Sequence, residues 1–154
     1  MLSKTHVLVA LLLGLVIVKF VELVHPILFV LIFCIASLLP DIDHPGSILG
    51  KRLWPFSLVL QVLVGHRGIL HSLFVPAGFV FLGYYTGYVW VGVAVAGGYV
   101  SHLAIDAFTF SGVSFLGPFS GRTKGFMRTG GVVEAGIFLG LLVALVWILG
   151  HLYL

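Results

Sequence analysis

The 154-residue chain has one cysteine and five acidic residues against eight basic ones, and charged residues of both signs make up only 8% of it. The lone Cys34 lies inside an apolar run, so a disulfide framework is excluded and cysteine usage says nothing about redox compartment. No internal repeat, low-complexity segment or inter-domain linker is visible, which leaves one domain over residues 1–154. A mean hydropathy of +1.22 excludes a soluble core. Several apolar runs approach the roughly 20 residues that cross a bilayer, so the class is a polytopic membrane protein. The net charge of +3 is therefore a statement about topology before it is one about nucleic acid.

The amino-terminal stretch MLSKTHVLVALLLGLVIVKF imitates a secretory signal, with Lys4 ahead of an apolar run. A cleavable signal ends in a small-x-small site, and the KFVELVHP that follows offers none. The stretch reads as an uncleaved first membrane helix over 6–24, with Lys19 and Glu22 snorkelling to the interface at its far end. His25-Pro26 turns the chain into a second helix over 26–39, stopped at Pro40. A polar loop covers 41–54. The apolar stretch PFSLVLQVLV, residues 55–64, is too short to span and is expected as a re-entrant or interfacial piece. Further helices are expected over 69–85, 88–108 and 132–150, with a Gly- and Ser-rich loop at 109–131. The expected fold is an all-α polytopic membrane helical bundle of about five transmembrane helices plus that short segment.

The polar residues sort by helix end. Starts of odd helices and ends of even helices share one face of the membrane. His6 opens the first helix, and Asp41, Asp43 and His44 end the second. His66 and His71 open the third, His102 and Asp106 end the fourth, and Glu134 opens the fifth. One face thus collects four of the five acidic residues and five of the seven histidines. The other receives Lys19, Glu22, His25 and His151. The basic residues divide the same way, with Lys4, Lys51, Arg52, Arg67, Arg122, Lys124 and Arg128 on the clustered face against Lys19 alone. An excess of Lys and Arg marks the cytoplasmic side. The amino terminus and the cluster are therefore expected on the cytoplasmic side of the inner, cytoplasmic membrane and the carboxyl terminus outside.

His102 and Asp106 stand four apart, which on a helix places imidazole and carboxylate about one turn apart on one face, a usable chelating pair. His66 and His71 stand five apart and share no helical face, but the turn GHRG lets His66 fold over His71. Asp41 and Asp43, two apart, suit a loop that wraps a cation. Imidazoles and carboxylates without thiolates suit zinc, manganese or iron in hydrolytic sites. Each feature alone has an ordinary explanation. A lone interfacial histidine is usually an amphipathic anchor, Asp43-His44-Pro45 can be a helix-ending turn, Asp41 can be merely solvated, and HxxxD recurs by chance. Together they point to a metal site, because ionisable residues in so apolar a chain are costly unless they serve a function. Ser72 and Ser101 each adjoin a histidine, yet neither sits in a G-x-S-x-G elbow, and helix packing is the better reading. GVAVAGG at 92–98 is a small-residue face for helix contact and not a phosphate loop.

The blocks KTHVLVA, LLPDIDHPGSILGKRL, GHRGILHSL, GYVSHLAIDAFTFSGVSFLGPFS and RTGGVVE follow one another over most of the chain. In content and order they resemble the LexA-binding, inner-membrane-associated family of metal-dependent hydrolases (YdjM-like). That family is grouped with zinc-dependent phospholipase C and the single-strand-specific zinc nucleases, which are helical and bind a cluster of zinc ions. The resemblance implies a membrane-embedded, phosphoesterase-like site built by His6, Asp41, Asp43, His66, His71, His102, Asp106 and Glu134. His44 is a further donor on the same face. The family usually has threonine before the second histidine of the HRG block, where this chain has Leu70.

This donor set exceeds the four ligands that one zinc takes, so two or three zinc ions are expected, with manganese or iron suited to the same ligands. Arg67, beside His66, is expected to neutralise a substrate phosphate through bidentate bonds. Asp41 or Asp43 is expected to act as general base on the attacking water. The expected substrate is a phosphoester in a lipid or lipid-linked headgroup, because membrane lipids present phosphate at the depth of the cluster and basic residues surround it. Nucleic acid fits less well, since no extended basic stretch with interleaved aromatics appears. Two readings from other classes stand beside the hydrolase. A metal-ion or proton transporter needs ionisable groups at mid-membrane depth, where these helices are apolar. A membrane adaptor with a closed structural metal site and a regulatory protein partner is the other.

Overall fold

The computed structural model describes residues 1–64, 68–119 and 121–153, so His66 and Arg67 lie outside the described residues. The chain forms an all-α membrane helical bundle, and its described residues contain isolated bridges but no strand. Its helices are α1 (Ser3–Phe20), α2 (Pro26–Ala36), α3 (Ile48–Arg52), α4 (Phe56–Val64), α5 (Phe74–Thr86), α6 (Val89–Asp106) and α7 (Val132–Tyr153). Among the described residues, four segments are long and apolar enough to cross a bilayer: α1, Pro26–Asp43, α6 and Val132–His151 within α7. The second of these joins α2 to a 3-10 turn over Pro40–Asp43.

The helix expected over 69–85 begins five residues late and is only 13 residues long. At about 1.5 Å per residue it reaches about 20 Å, short of the roughly 30 Å hydrocarbon core. The cause is Pro76. In the first turn of α5 its missing N–H is harmless, whereas a helix begun at Ile69 would hold the ring in its interior against the carbonyl of Ser72. The chain makes a 3-10 turn over Ile69–His71 instead. The amide of Leu73 then donates to the carbonyl of Phe115 at 2.9 Å.

The stretch expected as a polar loop at 41–54 contains α3, opened by Ser47, whose Oγ accepts the amide of Gly50 at 2.8 Å. This is ordinary N-capping. The short apolar segment at 55–64 forms α4, nine residues long, which packs against the Pro40–Asp43 turn.

Helix α6 is the centre of the bundle and packs against α1, α2 and α5. Ala10, Phe29, Phe33 and Ala94 form the core where α1, α2 and α6 meet. The small residues of α6 set its distance from its neighbours. A Cβ on Gly98 would lie 2.1 Å from the carbonyl oxygen of Phe33, and one on Gly92 would lie 2.6 Å from that of Phe79. Glycine at these two positions lets α6 close on α2 and on α5. Helix α7 packs along α1 and leaves most of its apolar surface to lipid. The chain between α6 and α7 folds back as an irregular hairpin, with bridges between Thr109 and Met127 and between Val113 and Thr123.

Candidate metal centre

Six sequence candidates converge at one end of the bundle: His6 from the first turns of α1, Asp41 and Asp43 from the turn after α2, His71 before α5, and His102 and Asp106 from the end of α6. His6 Nε2 lies 3.4 Å from Asp106 Oδ1. His102 Nε2 lies 3.7 Å from Asp106 Oδ2 and 3.6 Å from Asp41 Oδ1. His71 Nε2 lies 3.9 Å from the same Asp41 oxygen. The rings of His6 and His102 stack at 3.8 Å, and His71 meets His102 edge-on. Two groups result, His6–His102–Asp106 and Asp41–His71–His102, either of which could hold a metal ion.

The local chain explains the arrangement. Helix α2 ends at Ala36, so the carbonyl of Ser37 has no successor amide to bond within the helix. His102 Nδ1 lies 2.7 Å from that oxygen. A carbonyl only accepts, so Nδ1 carries the proton and Nε2 presents a lone pair. That lone pair faces two carboxylates, which are acceptors in their ionised form. Acceptors placed this way repel unless a cation sits among them. The spacing matches the need, because the edge of a tetrahedron with bonds of about 2.1 Å is about 3.4 Å.

Burial sharpens the point. His6, His71 and His102 are fully buried and Asp106 nearly so. Both ring nitrogens of His6 and the Nε2 of His102 are buried without a hydrogen-bond partner among the described residues, a costly arrangement for polar atoms. The amino group of Met1 lies 2.5 Å from Asp106 Oδ1, a cation already drawn to the same carboxylate. Residues and geometry thus fit a divalent metal. Because His102 Nδ1 is engaged by Ser37, both groups draw on the same Nε2, whose one lone pair could bind only one ion at a time.

The other candidates fall differently. Asp43 is fully buried and belongs to neither group. Its Oδ2 lies 3.5 Å from His71 Nδ1, on the ring edge away from Asp41. It is placed to orient that imidazole, as a carboxylate commonly does behind a metal-binding histidine. Asp41, 14% exposed, is the most open of the six. Glu134 is also outside both groups. Its Oε1 accepts from the amide of Leu2 at 2.7 Å and the hydroxyl of Thr5 at 2.8 Å, and its Oε2 from the amide of Gly130 at 2.7 Å. It clamps the start of α1, one residue from His6, to the start of α7. His44 is exposed and outside both groups.

Sequence reasoning missed three positioning groups. The Ser37 carbonyl leaves no side-chain signal. Thr5 looks like any helix hydroxyl. Tyr99, one turn before His102 on α6 and buried, donates its hydroxyl to the carbonyl of Leu70 and so ties down the residue before His71. A buried tyrosine needs such a partner, which was the available clue. The elements that carry the centre also bear exposed basic residues: Lys4 on α1, Lys51 and Arg52 on α3, which packs against the Pro40–Asp43 turn, and Arg122, Lys124 and Arg128 on the returning arm of the hairpin.

Residues 1–153 match the YdjM inner membrane protein family. The chain is 40% identical over 90 residues to the inner membrane protein YdjM of Escherichia coli, a stretch covering 54% of this chain and 46% of that protein. The likeness to the Shigella flexneri protein of the same name has the same extent. The chain thus spans about half the length of these two relatives. It is 31% identical over 122 residues to the uncharacterized protein YvsG of Bacillus subtilis, covering 77% of this chain and 76% of that one. No solved structure matches.

Proposed function

Because the chain belongs to the YdjM inner membrane protein family and is a multi-pass membrane protein, we propose that it is a metal-dependent hydrolase. It acts on a phosphoester at the cytoplasmic face of the inner membrane, in a lipid or lipid-linked headgroup. The observation that carries this reading is the lone pair of His102 Nε2, held toward Asp41 and Asp106 by the bond at Nδ1. His6, His102 and Asp106, or Asp41, His71 and His102, would hold the ion. A divalent ion such as zinc or manganese supplies Lewis acidity there, polarising a phosphoryl oxygen and easing deprotonation of water near neutral pH.

The remaining work falls to the protein's own groups. With the ion held by His6, His102 and Asp106, Asp41, the most open carboxylate, takes the proton of the attacking water. Asp43 holds His71 in orientation. The six exposed cations draw in a substrate that carries negative charge, and Arg67, expected beside His66, adds a direct phosphate contact. With the centre at the ends of the spanning segments, a phospholipid offers its phosphodiester without leaving the bilayer.

One observation favours a second reading. His6, His71, His102 and Asp106 are so fully buried that the ion would be closed off, as in a structural site of a membrane adaptor with a regulatory partner. The test is turnover. Detergent-purified protein loaded with zinc or manganese is incubated with mixed membrane lipids and with a chromogenic phosphodiester. Release that is abolished by a chelator and by Asp41→Asn is expected. Folded, metal-replete protein with no turnover on either substrate would favour the adaptor.

A further inference from the structure

An apolar groove of about 330 Å³ runs between α1, α6 and α7, lined by Thr5, Val9, Ile105, Phe126, Ile137 and Leu141. Its volume falls in the range of roughly 300–1,000 Å³ typical of ligand sites. Three of its walls are helices that meet the length and hydropathy of membrane spans, so the groove opens onto lipid chains and not onto water. Along α7 its lining runs from Ile137 to Leu141, about 6 Å of helix. We propose that this groove holds a hydrocarbon chain of the lipid whose phosphate is presented to the metal centre. The inference rests on the hydrolase reading for its purpose, though not for its test.

Continuity with the centre carries the argument. Thr5 precedes His6 and bonds Glu134, while Ile105 precedes Asp106 on α6. The groove therefore ends where the ligand groups begin. At its interfacial end Phe126 belongs to the hairpin that also bears exposed Lys124 and Arg128. A chain in the groove thus continues toward cations suited to a phosphate, as an amphipathic anionic lipid requires. A protein helix is a poorer occupant, because a single turn about 10 Å across and about 5.4 Å long takes about 420 Å³, more than the groove holds. A single polymethylene chain is slim enough.

The experiment uses metal-free protein in vesicles of phosphatidylcholine and phosphatidylglycerol, the latter carrying a diazirine in mid-chain. After irradiation, adducts are mapped by peptide mass spectrometry. Adducts are expected to concentrate several-fold on Val9, Ile137 and Leu141 over Val143 and Val146, although the latter two are 70% and 71% exposed. Ile137→Trp, and separately Leu141→Phe, should lower groove adducts several-fold and leave those at Val143 and Val146 unchanged. An even spread along α7, or adducts indifferent to both substitutions, would overturn the inference. Hydrolysis separates the two ideas. If the groove is right and the hydrolase reading wrong, adducts map to the groove while neither phosphatidylglycerol nor a soluble chromogenic phosphodiester is cleaved. If only the hydrolase reading is right, Ile137→Trp cleaves both as wild type does.

Discussion

His102 Nδ1 lies 2.7 Å from the carbonyl oxygen of Ser37, and this contact couples the end of α2 to the chemistry of α6. It depends on how closely the two helices approach, which Gly98 sets one turn earlier. The geometry of the candidate metal centre is thus a readout of helix packing.

Gly98→Ala places a Cβ where 2.1 Å separates it from the Phe33 carbonyl, so α2 and α6 must part. Destabilisation of about 1–3 kcal/mol is expected, together with weaker zinc binding as Ser37 withdraws from His102. Thermal unfolding and zinc titration measure both. Gly136→Ala on α7, where a Cβ meets nothing within 4 Å, should change neither. Equal behaviour of the two variants would contradict the coupling.

Asp43 and Asp41 are expected to separate in a competitive zinc titration. Asp43→Asn leaves the ligand groups intact but loosens His71, and should weaken affinity by about 10–100-fold with stoichiometry preserved. Asp41→Ala removes a donor outright and should cost more. Should Asp43→Asn match Asp41→Ala in lost stoichiometry, Asp43 is itself a ligand.

Much of this was legible in the sequence, for physical reasons that differ by element. Apolar run length located the spanning segments, because the bilayer imposes a minimum length. The alternation of helix ends brought His6, Asp41, Asp43, His71, His102 and Asp106 to one face before any distance was known. The start of α5 was misjudged because hydropathy outweighed Pro76, whose place in a first turn is a local rule. The division of labour between Asp41 and Asp43 was not legible. Two residues apart in a 3-10 turn, they differ only in which edge of His71 they meet, and that is decided by tertiary packing. Glu134 looked like a donor because it opens the last helix on the clustered face, within the block RTGGVVE that carries the resemblance. Its oxygens instead serve the amides of Leu2 and Gly130 and the Thr5 hydroxyl, unsatisfied groups at helix starts that no side-chain pattern reveals.

Glu134→Ala should therefore destabilise the protein and spare the metal. Hydrogen bonds to a charged group contribute about 1.5–3 kcal/mol, so unfolding should shift by at least that much while zinc per folded chain stays at the wild-type value. Loss of zinc from folded protein would make Glu134 a ligand after all.

Orientation is tested by a cysteine on the hairpin. Ser47 is a poor choice, being buried and engaged in capping α3, whereas Lys124 is exposed. In a Cys34→Ala background, Lys124→Cys should resist a membrane-impermeant thiol reagent in intact cells and react after lysis. Labelling in intact cells would place the centre outside, against the excess of Lys and Arg on its face.

The central claim is that His102 Nε2 binds a metal ion, and the most direct measurement is metal content by elemental analysis of detergent-purified, folded protein. Wild type is expected to carry divalent metal stoichiometrically and to gain thermal stability with added zinc, about 2.7 kcal/mol at a free concentration 100 times the Kd. His102→Ala should lose both the metal and the zinc-dependent gain. Wild-type protein free of metal and indifferent to zinc, or His102→Ala that retains its full complement, would contradict the account.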